Sequence, residues 1–322
     1  MGGNHRFMRW LGGFLRLGPL VALVLMASGA QAANVYKYKD ANGRWVISDK
    51  PPPRGTSAAE VEQRQLVFTE KSHGVAVVNR GSQQRPVFYA VNQTAGPVEM
   101  WVEFTRQENL RFSEEGPYHW VLPPMSERFV LRLSAADERR AWRYDWTYFY
   151  VPGEPGDPAK VELMDLDVPF RGGPFPISQA FMGAASHNQH PESHHAVDIV
   201  MPDRTPITAA YGGLVTEVEK NFSRSGWSEE YADEANYVRV LHANGTMALY
   251  AHLAPDAIEV ALGQRIKAGH LLGYSGTTGY STGPHLHFAL QFNGGKRLIS
   301  LPFRFRGHST EPQVGHRLQG VD

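Results

Sequence analysis

The sequence predicts an all-β protein with an N-terminal hairpin module, a middle β-sandwich and a C-terminal antiparallel β domain. Two observations predict this. Short runs that alternate apolar with polar residues recur from Val35 to Gln291, separated by turns rich in glycine, proline and asparagine. No long amphipathic helical pattern interrupts them. The 322 residues, 42% of them hydrophobic, suffice for two or three domains with cores of their own.

Residues 1–32 read as an export signal outside the fold. His5, Arg6 and Arg9 make a positive start, an apolar run is densest from Leu17 to Ala27, and Ala30-Gln31-Ala32 has the small-x-small form of a cleavage site. Arg16 and Pro19 interrupt the run, which is too short for a comfortable span. An uncleaved anchor is the alternative. No stable membrane span is expected once the signal is removed, and the absence of cysteine leaves no lipobox. The expected location is periplasmic or secreted.

The next element, 33–57, is a small hairpin. Val35-Tyr36-Lys37-Tyr38 and Trp45-Val46-Ile47-Ser48 flank an Asn42-Gly43 turn, and Pro51-Pro52-Pro53 ends it. It resembles a short module of unknown function found near the start of many exported proteobacterial proteins, with its aromatic strand, Asp-x-x-Gly turn and Ser-Asp-x-Pro ending. Residues 64–157 follow as a β-sandwich, with strand candidates such as Val87–Val91, Val98–Phe104, Arg128–Leu133 and Trp146–Tyr150. Its aromatics read as core and cross-strand pairs ahead of a carbohydrate-stacking surface. A Pro/Gly stretch, 152–158, reads as a linker. The C-terminal domain spans 166–305, with 306–322 as a tail.

Composition narrows the chemistry. With 32 basic and 32 acidic residues there is no electrostatic case for a nucleic-acid partner. Without cysteine there is no disulfide, thiol nucleophile or cysteine-held metal, so any metal must be held by His, Asp or Glu.

Three histidine motifs occupy the last domain: His194-His195-Ala196-Val197-Asp198, Tyr250-Ala251-His252-Leu253 and Gly283-Pro284-His285-Leu286-His287-Phe288. On a strand, His285 and His287 share one face, and His194 and Asp198 have even spacing as well. Two imidazoles and a carboxylate would leave an open position on a metal for water. A further imidazole would then serve as general base. His195 and His187 are rivals to His194, because adjacent strand residues face opposite ways and the intervening loop can fold His187 back.

The segment from about Phe181 to Phe292 resembles the lysostaphin/LytM-type zinc metallopeptidases, a peptidoglycan endopeptidase family. The landmarks occur in order: His-x-x-x-Asp, Met201–Ile207, Ala209–Val215, Tyr250–Leu253, Leu272–Gly279 and Ser281–Phe288. The resemblance implies Zn2+ as cofactor, with His194, Asp198 and His287 as its ligands and His252 and His285 as catalytic histidines. It implies hydrolysis of peptide cross-links in bacterial cell wall. A non-catalytic wall-binding or amidase-regulating module of the same fold, or a peptidase for a secreted protein, is the alternative. The stretch Phe222–Ala235 is longer than usual and reads as a lid or a solvated hairpin.

Overall fold

The computed structural model describes residues 74–321 except 83, 185, 229 and 230, together with the backbone of three upstream strands. Residues 1–31 of the expected export signal lie outside the described residues. No described helix is long and apolar enough to cross a membrane. Among the described residues no α-helix occurs, and Pro158–Lys160 is a single 3-10 turn, so the all-β expectation holds.

Ala32–Lys39 and Trp45–Ser48 pair antiparallel, as the alternating pattern requires; the expected Asn42-Gly43 turn lies outside the described residues. A third strand, Glu62–Val67, pairs on the other side of Ala32–Lys39. Residues from 64 were expected to open the sandwich. The first sandwich strand is instead Val75–Asn79. Alternation alone does not say which sheet a strand joins.

The sandwich consists of two antiparallel sheets. One orders Val75–Asn79, Val87–Asn92, Ser126–Ala135 and Leu110–Phe112, and the other orders Arg143–Pro152, Val98–Glu108 and His119–Leu122. Phe88, Leu131 and Leu133 from the first meet Met100, Val102 and Tyr148 from the second in one core. Each fully buried side chain of this size stabilises the fold by about 1.5–3 kcal/mol. The aromatics pair inside and across strands, as with Phe104 on Phe112 at 5.0 Å and Trp101 on Phe149 at 5.3 Å.

The C-terminal domain is built on one antiparallel sheet. Its order is Arg265–Ile266, Gly213–Glu219, Tyr237–Leu241, Met247–Ala251, His285–Asn293, Val197–Val200, Phe175–Gln179 and Arg317–Leu318. Leu298–Ser300 also pairs with the His285–Asn293 strand. Alternation divides that strand cleanly. Leu286, Phe288, Leu290 and Phe292 enter the main core with Tyr250, Phe303 and Phe305, and this leaves His285 and His287 on the opposite face. The expected tail is part of the fold: Arg317–Leu318 pairs with Phe175–Pro176, and Leu318 is buried in the same core.

The supposed linker is structured too. Val151 packs with Met247 and Leu298, and Trp101 and Leu241 close over them. Asn293 donates to the Gly153 carbonyl at 2.9 Å, and the Lys296 amide donates to buried Glu99 at 2.7 Å. The sandwich is thus fastened to one end of the sheet.

His242, beyond the Tyr237–Leu241 strand, is buried with Nδ1 donating to the Gly212 carbonyl at 3.0 Å. Burial lowers its pKa to about 4. It stays neutral in the fold where the unfolded chain takes up a proton. Its contribution is therefore intact above the unfolded value near 6.5 and declines as pH falls toward 4. At pH 5 the loss is about 2 kcal/mol. Denaturant unfolding of the protein and of His242→Gln at pH 7 and pH 5 should show a smaller fall in the variant; equal falls would refute this.

Candidate metal centre

Register places the polar residues of the site in one row across the sheet. Gln179 is opposite Asp198, Asp198 opposite His287, His287 opposite Ala251, and Ala251 opposite Tyr237. His287 Nδ1 lies 2.8 Å from Asp198 Oδ1. The third member of the cluster is His187, whose Nε2 is 3.3 Å from the same Asp198 oxygen.

Ligand atoms from His187, Asp198 and His287 all lie within 4.8 Å of one another, a group able to hold a metal ion. On a tetrahedral ion with bonds of about 2.0–2.2 Å, neighbouring ligand atoms stand about 3.3 Å apart. His194 was the expected first member. The structure brings His187 there instead, eleven residues before Asp198 rather than four. His194 stays in the turn before the strand, its carbonyl accepting the Met182 amide. His195, the other rival, faces away: its Nδ1 donates to the Ser300 carbonyl at 3.0 Å.

The loop that carries His187 explains this. His187 Nδ1 donates to the Ala180 carbonyl at 2.9 Å, which fixes the tautomer and leaves Nε2 with a lone pair. That Nε2 is fully buried without a hydrogen-bond partner. An orphaned buried nitrogen aimed at a carboxylate and a second imidazole fits a metal ligand. Gln179, which sequence reasoning missed, ties the pieces together. Its Nε2 donates to Asp198 Oδ2 at 3.0 Å and to Ser186 Oγ at 2.8 Å, and its Oε1 accepts the Ser186 amide. It thus orients the carboxylate and anchors the residue before His187. Its position opposite Asp198 could be found only once strand pairing was known.

Burial alone would raise the Asp198 carboxyl, but the hydrogen bond of His287 and the nearby His187 and His287 imidazoles outweigh it and hold it well below the usual carboxylate range. The aspartate is ready as an anionic ligand.

His252 and His285 stand beside the cluster. Their rings are 4.6 Å apart, and the His252 ring is 5.9 Å from that of His287. His252 leaves its strand with a positive φ of 64°, a conformation that costs a non-glycine residue about 1 kcal/mol or more. Its Nδ1 donates to the Thr278 carbonyl at 2.7 Å. Burial, then the charges of His285 and His287, push its pKa down to about 3, so it is neutral at pH 7. His285 Nδ1 donates to the Gly283 carbonyl at 2.9 Å, with Ser281 Oγ at 3.3 Å. Both rings keep Nε2 free of these backbone bonds. Four of the five residues expected at the site, Asp198, His252, His285 and His287, come together, with His187 in place of His194.

An antiparallel sheet that gathers a metal-capable His–Asp–His group, with two oriented imidazoles beside it, has the make-up of a hydrolase site. Residues 192–298 match Peptidase family M23, and residues 22–67 match a domain of unknown function, DUF4124. His187 lies just before the matched span. The DD-carboxypeptidase/endopeptidase Mpg of Neisseria meningitidis is 37% identical over 101 residues, 31% of this chain and 20% of that protein. The peptidoglycan DD-endopeptidase ShyC of Vibrio cholerae is 34% identical over 114 residues, 34% of this chain and 24% of that protein. Among solved structures, the catalytic domain of lysostaphin from Staphylococcus simulans is 30% identical, covering 38% of this chain and 81% of that one, with a TM-score of 0.28. The chain spans about a fifth to a quarter of the length of these two curated relatives.

Proposed function

We propose that this protein is a zinc-dependent endopeptidase that hydrolyses peptide cross-links of bacterial peptidoglycan, acting in the periplasm or outside the cell. The observation that carries the reading is the convergence of the orphaned His187 Nε2 with Asp198 and His287. Two relatives named for carboxypeptidase or endopeptidase activity, one of them for peptidoglycan, support the substrate. Zinc is favoured because the donors are two imidazoles and one carboxylate, a set that suits a catalytic site with an open position.

His187, Asp198 and His287 would hold the ion. When bound, it supplies a Lewis acid for the scissile carbonyl and brings the pKa of a water toward ~7. The remaining steps belong to the protein. His252, its Nδ1 committed to Thr278, offers Nε2 to take the water's proton. The same His252 nitrogen then gives that proton to the leaving amine. His285, beside it, positions the attack and stabilises charge developing on the carbonyl oxygen. The non-catalytic alternative is disfavoured because no member of this set is missing.

The test uses the full-length protein and purified sacculi. Zinc-loaded protein should release soluble muropeptides. A chelator should abolish release, and added Zn2+ should restore it. A folded, wall-binding protein that takes up no metal and releases nothing would sink the reading. Hydrolysis of a secreted protein but not of sacculi would reassign the substrate.

A further inference from the structure

We infer that Trp227 and Tyr280 form an aromatic platform at the cleft rim that stacks on a sugar ring of the glycan strand while the attached peptide is cut at the metal centre; this rests on the function proposed above. Trp227 is 67% exposed, yet its ring is stacked on Tyr280 at 5.2 Å with 29° between planes. An indole held in place but left in water is not core packing, and its outward face has no counterpart among the ring contacts within the described residues.

The platform is joined to the catalytic machinery by backbone. Ser225–Gly226 pairs in parallel with Gly279–Tyr280. The Gly279 amide donates to the Arg224 carbonyl at 2.9 Å, and the Ser281 amide to the Gly226 carbonyl at 3.2 Å. The same short segment holds both catalytic histidines: Thr278 accepts from His252, and Ser281 Oγ lies 3.3 Å from His285 Nδ1. The base of the loop is braced by Arg224, which bonds Glu234 at 2.6 and 3.1 Å and lies over the Tyr231 ring at 5.4 Å. The stretch expected as a lid or a solvated hairpin is thus docked along Gly279–Tyr280, with Trp227 left exposed.

The chemistry of the ligand follows. A flat, pre-ordered indole binds a flat C–H face with little loss of conformational entropy. The scissile peptide must extend to the metal centre, so the polysaccharide part of the substrate meets the rim. A pyranose ring has such a face, with its hydroxyls directed outward to water.

The test compares two substrates with the full-length, zinc-loaded protein: cross-linked muropeptide dimers that carry their sugars, and the same cross-linked peptides with the sugars removed. Trp227→Ala should raise KM for the sugar-bearing dimers about three- to tenfold, leave kcat unchanged, and leave both constants unchanged on the bare peptides. Trp227→Phe should restore most of the loss. Equal effects on the two substrates, or none on either, would overturn the platform while the endopeptidase reading stands. A wild-type protein inactive on both would overturn that reading and the platform with it.

Discussion

Replacing His187 by alanine is expected to abolish metal binding and to lower kcat/KM by at least about 10³-fold, whereas His194→Ala should keep one metal per chain and activity within about threefold. A loss of 10³ corresponds to about 4 kcal/mol of transition-state stabilisation, in keeping with removal of a ligand from a three-residue set. The contrast separates two histidines that are only seven positions apart in the chain. His187 presents a buried Nε2 to Asp198, while His194 sits in the turn before the strand with its backbone carbonyl accepting the Met182 amide. The measurement is metal analysis of the purified variants alongside hydrolysis of cross-linked muropeptides. Thermal unfolding of metal-free wild type and His187→Ala guards against a simple folding defect, and the two should melt within a few degrees. Loss of metal in His194→Ala, with retention in His187→Ala, would return the site to the spacing read from the sequence.

That reversal shows what could be read without coordinates. Asp198, His252, His285 and His287 were legible because each is on or beside a strand, where period-two alternation fixes the face, and because their motifs occur in a fixed order. The third member of the cluster, His187, was read only as a rival to His194, because it comes from a loop. A loop has no periodicity, and the His-x-x-x-Asp register of the resemblance pointed to His194. The Ala180 carbonyl and the Gln179–Ser186 bonds fold the loop back so that His187 arrives instead. The same distinction holds for the fold. The alternating strands of the sandwich and of the catalytic sheet could be read directly. The partner of Glu62–Val67 and the docking of residues 151–153 depend on contacts between elements, which no local pattern encodes. The 306–322 segment looked like a tail because Arg317–Leu318 is a two-residue strand, too short to show alternation.

The His252→Ala variant should behave differently from the ligand variant: metal content unchanged, KM nearly unchanged, and kcat lower by about 10³-fold. His252 is outside the His–Asp–His group, so its removal leaves all three donors in place. What is lost is a base whose tautomer is set by the Thr278 carbonyl and whose ring is 4.6 Å from His285. Its positive φ of 64° is tolerated in a β-rich domain only because neighbouring structure enforces it, and alanine inherits the same backbone strain. The variant therefore tests the imidazole and not the turn. Exogenous imidazole should recover part of the rate in His252→Ala and none in His187→Ala, since a diffusible base can replace a proton acceptor but cannot rebuild a buried ligand set. Steady-state kinetics with metal analysis on the same samples decides it. Activity within threefold of wild type would remove His252 from the proton path, and loss of metal would make it part of the ligand set.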